Sequence, residues 1–410
     1  MARDRREPSG GPTRRQLLLG GAVAGVGAAA AIGADTLGRR GRSDETPQAT
    51  STPHGGDVVP FHGAHQAGVE ATAQAHTALL ALDLSDGTDR DALRRMMRVL
   101  SDDAARLTQG RPALADSEPE LAAVPARLTV TFGFGPELVR RAGRDDSQHP
   151  TWLRALPTFT IDRLEEAWSG GDLLIQLAAD DGMTVAHAQR MLLKDARSFA
   201  GVRWVQSGFR RARGSEPTGT TMRNLFGQVD GTVNPEPGSA DFDDLVWVPG
   251  GWLAGGTSLV VRRIRMDLDT WDRLDRPGRE QAVGRSLSNG APLSGREERD
   301  EPDFTATDAI GFPVIPEYSH LRRARSDDRR QRIFRKAYNY DEAPAGDAVS
   351  DSGLLFLSYQ KDVDAQFVPL QRRLDELDLL NQWTTPVGSA VFAIPPGCAE
   401  GGFIGETLLP

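Results

Sequence analysis

The chain has 410 residues, with 57 acidic against 48 basic side chains and a formal charge of −9. That acidity argues against nucleic acid or an anionic membrane surface as a partner. The single cysteine, Cys398, rules out an intrachain disulfide and reads as a small buried apolar residue.

Residues 1–34 read as an address. Thr13-Arg-Arg-Gln-Leu-Leu-Leu19 leads into an alanine- and glycine-rich apolar run that ends at Ala34, the pattern of a twin-arginine export signal. The run from Leu17 is near the lower length limit for a membrane span and is rich in small residues. Ala31, Gly33 and Ala34 offer a cleavage site, with retention as an anchor the alternative. The expected partner is therefore the twin-arginine (Tat) export machinery, and the expected location is extracellular, periplasmic or at the cell envelope. That route carries folded proteins, which suits a chain that takes up a cofactor before export. Residues 1–34 hold five arginines and two acids, so without them the formal charge goes from −9 to −12. Residues 35–56, rich in Asp, Thr, Ser, Pro and Gly, read as a disordered tether.

About 355 residues follow, more than one core usually serves, so two domains or a duplicated unit are expected. In the first half, 78–84 reads as a strand, and Leu93, Met96, Met97, Leu100, Ala104 and Leu107 recur at helical spacing. Leu128, Val130 and Phe132 alternate as a strand, and Pro136 opens a short helix. A strand at 172–179, a helix at 184–197 and a strand at 202–209 follow. The second half repeats the rhythm, with strands at 257–266, 354–360 and 389–394 and helices at 269–274 and 363–374. Residues 275–352 read as a long polar insertion. The alternation fits either antiparallel α+β units or a parallel doubly wound sheet.

The stretch 224–235, Asn-Leu-Phe-Gly-Gln-Val-Asp-Gly-Thr-Val-Asn-Pro, puts one carboxylate, Asp230, in a turn bracketed by Gly227 and Gly231. Further on come His320, in Pro316-Glu-Tyr-Ser-His-Leu-Arg-Arg-Ala324, and Arg335, in Arg332-Ile-Phe-Arg-Lys-Ala-Tyr-Asn-Tyr340. The order Asp, His, Arg resembles the dye-decolorizing peroxidases. The resemblance extends to Pro60-Phe-His-Gly-Ala-His-Gln-Ala-Gly68, Gly171-Asp-Leu-Leu-Ile-Gln-Leu177, Phe356-Leu-Ser-Tyr-Gln-Lys-Asp362 and Gly388-Ser-Ala-Val-Phe-Ala-Ile-Pro-Pro396. It implies a duplicated ferredoxin-like α+β fold, each unit an antiparallel sheet with peripheral helices. The expected domains are 57–212 and a haem-binding 213–410.

The resemblance also implies an oxidoreductase that reduces hydrogen peroxide on a b-type haem (haem b) while oxidising a small-molecule reductant, phenolic or dye-like. On it, His320 is the metal ligand below the iron, a service a neutral imidazole performs well. Asp230 is the acid–base group that takes a peroxide proton and returns it to the departing oxygen. Arg335 stabilises the charge that develops as the O–O bond polarises. An ordinary aspartate titrates near ~4, so such a site is expected to work best in mild acid unless burial intervenes. Gly231, Thr232 and Asn234 are expected along the haem edge, and Phe356 on the apolar wall. For the carboxylate that orients His320, Asp375 and Asp378 lie in the right region, whereas Gln382 stands where the family pattern places an acid.

His62 and His65 are read as structural because no acid or cysteine accompanies them at ligand spacing. Candidate electron relays are Tyr338 and Tyr340, one toward the haem and one outward, with Trp247, Trp252 and Trp271. Two other functions share the same pocket: release of iron from haem, and non-catalytic haem carriage or sensing. Assembly into homo-oligomers is left open.

Overall fold

The computed structural model describes residues 54–143, 149–344, 346 and 349–410. The export signal expected over 1–34 and the tether up to residue 53 lie outside the described residues. The tether's last residues, His54–Gly56, already form a 3-10 turn, and the Gly55 carbonyl accepts from Ala126 N–H. The ordered body thus begins by residue 54. Among the described residues, no helix is long and apolar enough to cross a membrane.

In the first half, β1 (His76–Leu84), β2 (Thr129–Phe134), β3 (Leu173–Ala179) and β4 (Ala200–Phe209) pair antiparallel in the order β2-β3-β1-β4. In the second, β5 (Thr257–Met266), β7 (Tyr338–Glu342), β8 (Asp351–Gln360) and β9 (Thr384–Ile394) pair in the order β9-β5-β8-β7. Both orders place the fourth strand beside the first and the first beside the third, the ferredoxin-like arrangement. A two-residue strand β6 (Phe334–Arg335) shares the β8 edge with β7. The sheets meet at two single pairings, Phe134 with Ala393 and Phe209 with Asn339, which close the strands into a ring.

This closure explains why β1, β2 and β3 are buried at nearly every position, since both faces are covered. Leu80 and Leu82 of β1 pack with Met96, Met97 and Leu100 of helix α1 (Arg90–Leu107) and with Met191 and Leu192 of helix α2 (Gly182–Ala196). Their neighbours Leu79 and Ala81 turn the other way, into a second core shared with Leu259 and Val261 of β5 and Leu357 and Tyr359 of β8. Asp89 and Asp181 cap the two helices by accepting from Ala92 N–H at 2.8 Å and Thr184 N–H at 2.9 Å.

The structure departs from the sequence reading in three places. The polar insertion is shorter than expected, because 334–342 pairs with β8 and completes the second sheet. The helix expected at 269–274 shrinks to Leu268–Trp271, and the one at 363–374 becomes a π turn, Val363–Phe367, followed by Val368–Leu377. Tyr338 and Tyr340 do not face opposite ways: residues two apart on a strand share a face, and both are buried in the second core.

Away from the ring, the Asp195 carboxyl at the end of α2 lies against the buried Asp103 of α1. Burial, and then the neighbouring Asp103, push the Asp195 carboxyl up to about 7. A folded-state value above the unfolded one means that the stabilisation is complete below pH ~4 and is lost as pH rises through 7. Asp195→Asn is expected to raise the melting temperature on the order of 2–4 °C at pH 8 and to leave it unchanged at pH 4. Thermal unfolding followed by circular dichroism at the two pH values checks this.

Candidate active site

Strand period two places the site. On β5, Arg262, Ile264 and Met266 share the face opposite Leu259 and Val261; on β8, Leu354 and Phe356 do the same. These residues line one wall of a cavity of about 840 Å³. The loops 224–234 and 301–335, the segment 370–386, and Ile161, Val283 and Arg285 complete its lining. A cleft of this size with an apolar wall and a few polar groups is the usual form of a cofactor or substrate site.

The Asp230 loop is shaped by its own hydrogen bonds. Asn224 N–H donates to the Gln228 carbonyl at 3.0 Å, and Asn224 Oδ1 accepts from Phe226 and Gln228 N–H. Asp230 N–H donates to Met222 at 2.8 Å. Gly231 sits at φ 117°, a conformation L side chains rarely adopt, and this turns the chain sharply after Asp230. The Asp230 carboxylate, almost wholly buried, receives Arg335 Nη1 at 3.2 Å and Asn224 Nδ2 at 3.3 Å. Arg335 comes from β6, and its guanidinium also lies 6.0 Å from the Phe356 ring centre.

His320 opens a short helix α3 (His320–Ala324), tethered beside the segment that follows helix α4 (Val368–Leu377) by Leu379 N–H donating to the Tyr318 carbonyl at 2.9 Å. His320 Nδ1–H donates to Asp378 Oδ2 at 2.6 Å, and Asp378 Oδ1 caps the next turn by accepting from Leu380 N–H at 3.0 Å. The Asp378 carboxyl is 3% exposed, so this oxygen is held in place. Burial works against a charged His320, but the Asp378 carboxylate outweighs it and raises the imidazole above its ordinary value. With Nδ1 engaged, Nε2 is the nitrogen left to bind a metal, and His320 lines the cavity.

Asp230, Gly231, Thr232, Asn234, His320, Arg335 and Phe356, all named from the sequence, line this one cavity. The orienting carboxylate is Asp378. Asp375 instead accepts from Thr160 and Ile161 N–H, and Gln382 is exposed. The acid lies four residues before the expected position, as the cap of a 3-10 turn, Leu379–Gln382, that precedes β9. His65 stacks on Trp247 with ring centres 3.7 Å apart and bonds the Gly255 carbonyl, while His62 lies 3.6 Å from Cys398 Sγ. Neither lines the cavity, and among the described residues no group of three or more His, Cys, Asp or Glu is placed to hold a metal ion. Burial pushes the Cys398 thiol up to about 11, so it stays protonated.

The sequence reading missed several residues. Glu298 accepts from both Thr221 and Thr232 hydroxyls and fastens the far side of the loop. Arg285, buried in the wall, donates to the Gly290 and Glu298 carbonyls. Trp383, beside Trp271, extends an aromatic contact from the cavity-lining Phe226 through Trp271. None carries a local signal, since each becomes relevant only through a partner far away in the chain.

Residues 66–210 match the family model described as Dyp-type peroxidase, N-terminal, and residues 221–399 the one described as Dyp-type peroxidase, C-terminal. The chain belongs to the Dyp-type peroxidases. It is 36% identical to a dye-decolorizing peroxidase of Thermobifida fusca, across 97% of each chain. It is 33% identical to a deferrochelatase of Yersinia pestis, across 97% of this chain and 95% of that one. Among solved structures it is similar to a DyP-type peroxidase from Cellulomonas bogoriensis, with 57% identity, a TM-score of 0.84 and coverage of 87% of this chain and 99% of that one. The protein is thus a peroxidase, an oxidoreductase that uses peroxide, in a haem-binding family whose solved relatives include a ferric protein from Streptomyces lividans.

Asp378→Asn keeps the cap on the Leu380 N–H but removes the charge facing His320. Haem affinity is expected to fall about 10- to 100-fold, measured as haem transfer to apomyoglobin from the change in the Soret band.

Proposed function

We propose that this peroxidase binds haem b through His320 and reduces hydrogen peroxide at the expense of phenolic or dye-like donors. The observation that carries this is the convergence on one cavity of an imidazole whose Nδ1 is locked by a carboxylate and an ion-paired Asp–Arg couple. The lining fits the group. Ile264, Met266, Leu354 and Phe356 offer an apolar surface to a flat macrocycle, and Arg325, Arg329 and Arg332 line the same cavity with cationic groups suited to its carboxylates. When bound, haem supplies the iron that accepts the peroxide and the electrons that split its O–O bond.

The chain's own residues do the rest. Asp378 keeps His320 in the tautomer that offers Nε2, and its charge makes that nitrogen a stronger donor. Asp230 would take a proton from one peroxide oxygen and return it to the other, so that the second departs as water. Arg335 faces the negative charge of the polarising bond with its guanidinium. Their 3.2 Å ion pair in a largely enclosed wall fixes both heads before substrate arrives.

Residues 1–34 support export of the folded, haem-loaded protein by the twin-arginine route, to the cell envelope or beyond. A domain division at about residue 213, after β4 ends at Phe209, is part of the same reading. The deferrochelatase relatives favour iron release from haem as the second reading.

The test is dye bleaching by the haem-loaded chain, residues 35–410, with Asp230→Ala, Arg335→Ala and His320→Ala alongside. The parent should turn over dye only with hydrogen peroxide. Asp230→Ala and Arg335→Ala should each lose about 10²- to 10³-fold in kcat/KM for peroxide while retaining haem, and His320→Ala should lose the parent Soret band. Metal-free porphyrin fluorescence in place of dye turnover would support iron release instead.

A further inference from the structure

The two-residue strand β6 has one edge on β8, where Lys336 N–H donates to the Leu357 carbonyl at 2.9 Å. Successive residues of a strand turn their backbone groups to opposite sides. Arg335, one residue earlier, therefore points its N–H and C=O away from the sheet. Left unpaired on a half-buried wall, each would carry a desolvation cost.

One side chain takes both. Asn234 Oδ1 accepts from Arg335 N–H at 3.0 Å, and Asn234 Nδ2 donates to the Arg335 carbonyl at 2.6 Å. The carboxamide stands in for a missing neighbour strand. Asn234 belongs to the turn that carries Asp230, its own N–H closing on the Gly231 carbonyl at 3.1 Å. The Arg335 guanidinium returns to Asp230. Backbone and head of Arg335 are thus tied to the same short loop, by three contacts that share no atom.

We propose that Asn234 is a positioning residue for the peroxide step: it grips Arg335 by the backbone and holds its guanidinium in register with Asp230. This rests on the assignment of Arg335 to charge stabilisation given above. Among side chains of this length only a carboxamide offers both an acceptor and a donor at the required spacing. Aspartate keeps the acceptor and loses the donor, and alanine loses both. A guanidinium displaced by ~1 Å from the developing charge forfeits up to about 10²-fold in rate.

The experiment compares Asn234→Ala, Asn234→Asp, Arg335→Ala and the Asn234→Ala/Arg335→Ala double variant. The readouts are kcat/KM for hydrogen peroxide, haem affinity and amide hydrogen exchange of segment 333–337 in the haem-free protein. Asn234→Ala is expected to lower kcat/KM about 10-fold, to leave haem affinity as in the parent, and to change the Arg335→Ala background by less than about twofold. Amide exchange at 333–337 should quicken in Asn234→Ala and stay slow in the near-isosteric Asn234→Asp, which should also lose peroxide reactivity. That variant carries the test if Asn234→Ala does not fold.

A fall in Arg335→Ala without any fall in either Asn234 variant overturns the proposal and leaves the role of Arg335 standing. So do independent, multiplying effects of the two positions, unchanged exchange at 333–337, or a loss of haem affinity in place of peroxide reactivity. Arg335→Ala with parental kcat/KM removes the Arg335 assignment and the proposal together.

Discussion

Closure of two antiparallel sheets into one ring is the constraint on which the rest depends. It gives β1, β2, β3, β5, β8 and β9 two largely covered faces, so alternate residues must satisfy different surroundings. On β5 and β8, one set of alternate residues fills the core between the sheets with Leu259, Val261, Leu357 and Tyr359, while the other set forms the cavity wall. A one-residue slip of either strand would exchange the two sets. The long paired registers, ten residues for β5 with β9 and nine for β5 with β8, guard against that slip.

On this wall the functional groups are held as pairs rather than singly. Asp230 faces Arg335, and Asp378 faces His320. A half-buried charge without a partner would change its protonation state or pull the loop toward water. Each pair also joins segments far apart in the chain: the 230 loop to β6, and the start of α3 to the end of α4. The arrangement that tunes the chemistry therefore also fastens the cavity.

Lys336 shows how far this fastening reaches. It neighbours Arg335 on the strand and points the opposite way, where its buried ammonium donates to the carbonyls of Gly68 and Ala71. Burial, with Arg210 nearby, brings it down to about 7. The strand that aims an arginine into the cavity is thus anchored on its other side to the segment at the start of the first half.

Much was legible in the sequence. Strands of alternating or continuous apolar residues and the capped helices are local patterns, and all but a few fell within some residues of where they form. The resemblance carried by the glycine-bracketed Asp230, the order Asp, His, Arg and the flanking motifs named groups that line one cavity although His320 and Arg335 lie 90 and 105 residues beyond Asp230. The failures have a common cause. Residues 334–340 read as part of a polar insertion, with one tyrosine toward the haem and one outward, because charge and alternation say nothing about which side a strand's partner lies on. The acid serving His320 was left between Asp375 and Asp378 because that choice depends on how α4 ends and how the next turn is capped. Asn234 read as a residue on the cofactor edge, and only the fold shows its amide spent on the backbone of Arg335. Residue type and spacing determine which chemistry the chain carries, since they fix what each group can donate, accept or hold. Which groups face one another was decided by the tertiary structure, because hydrogen bonds and ion pairs act over a few ångströms in space, whatever the separation along the chain.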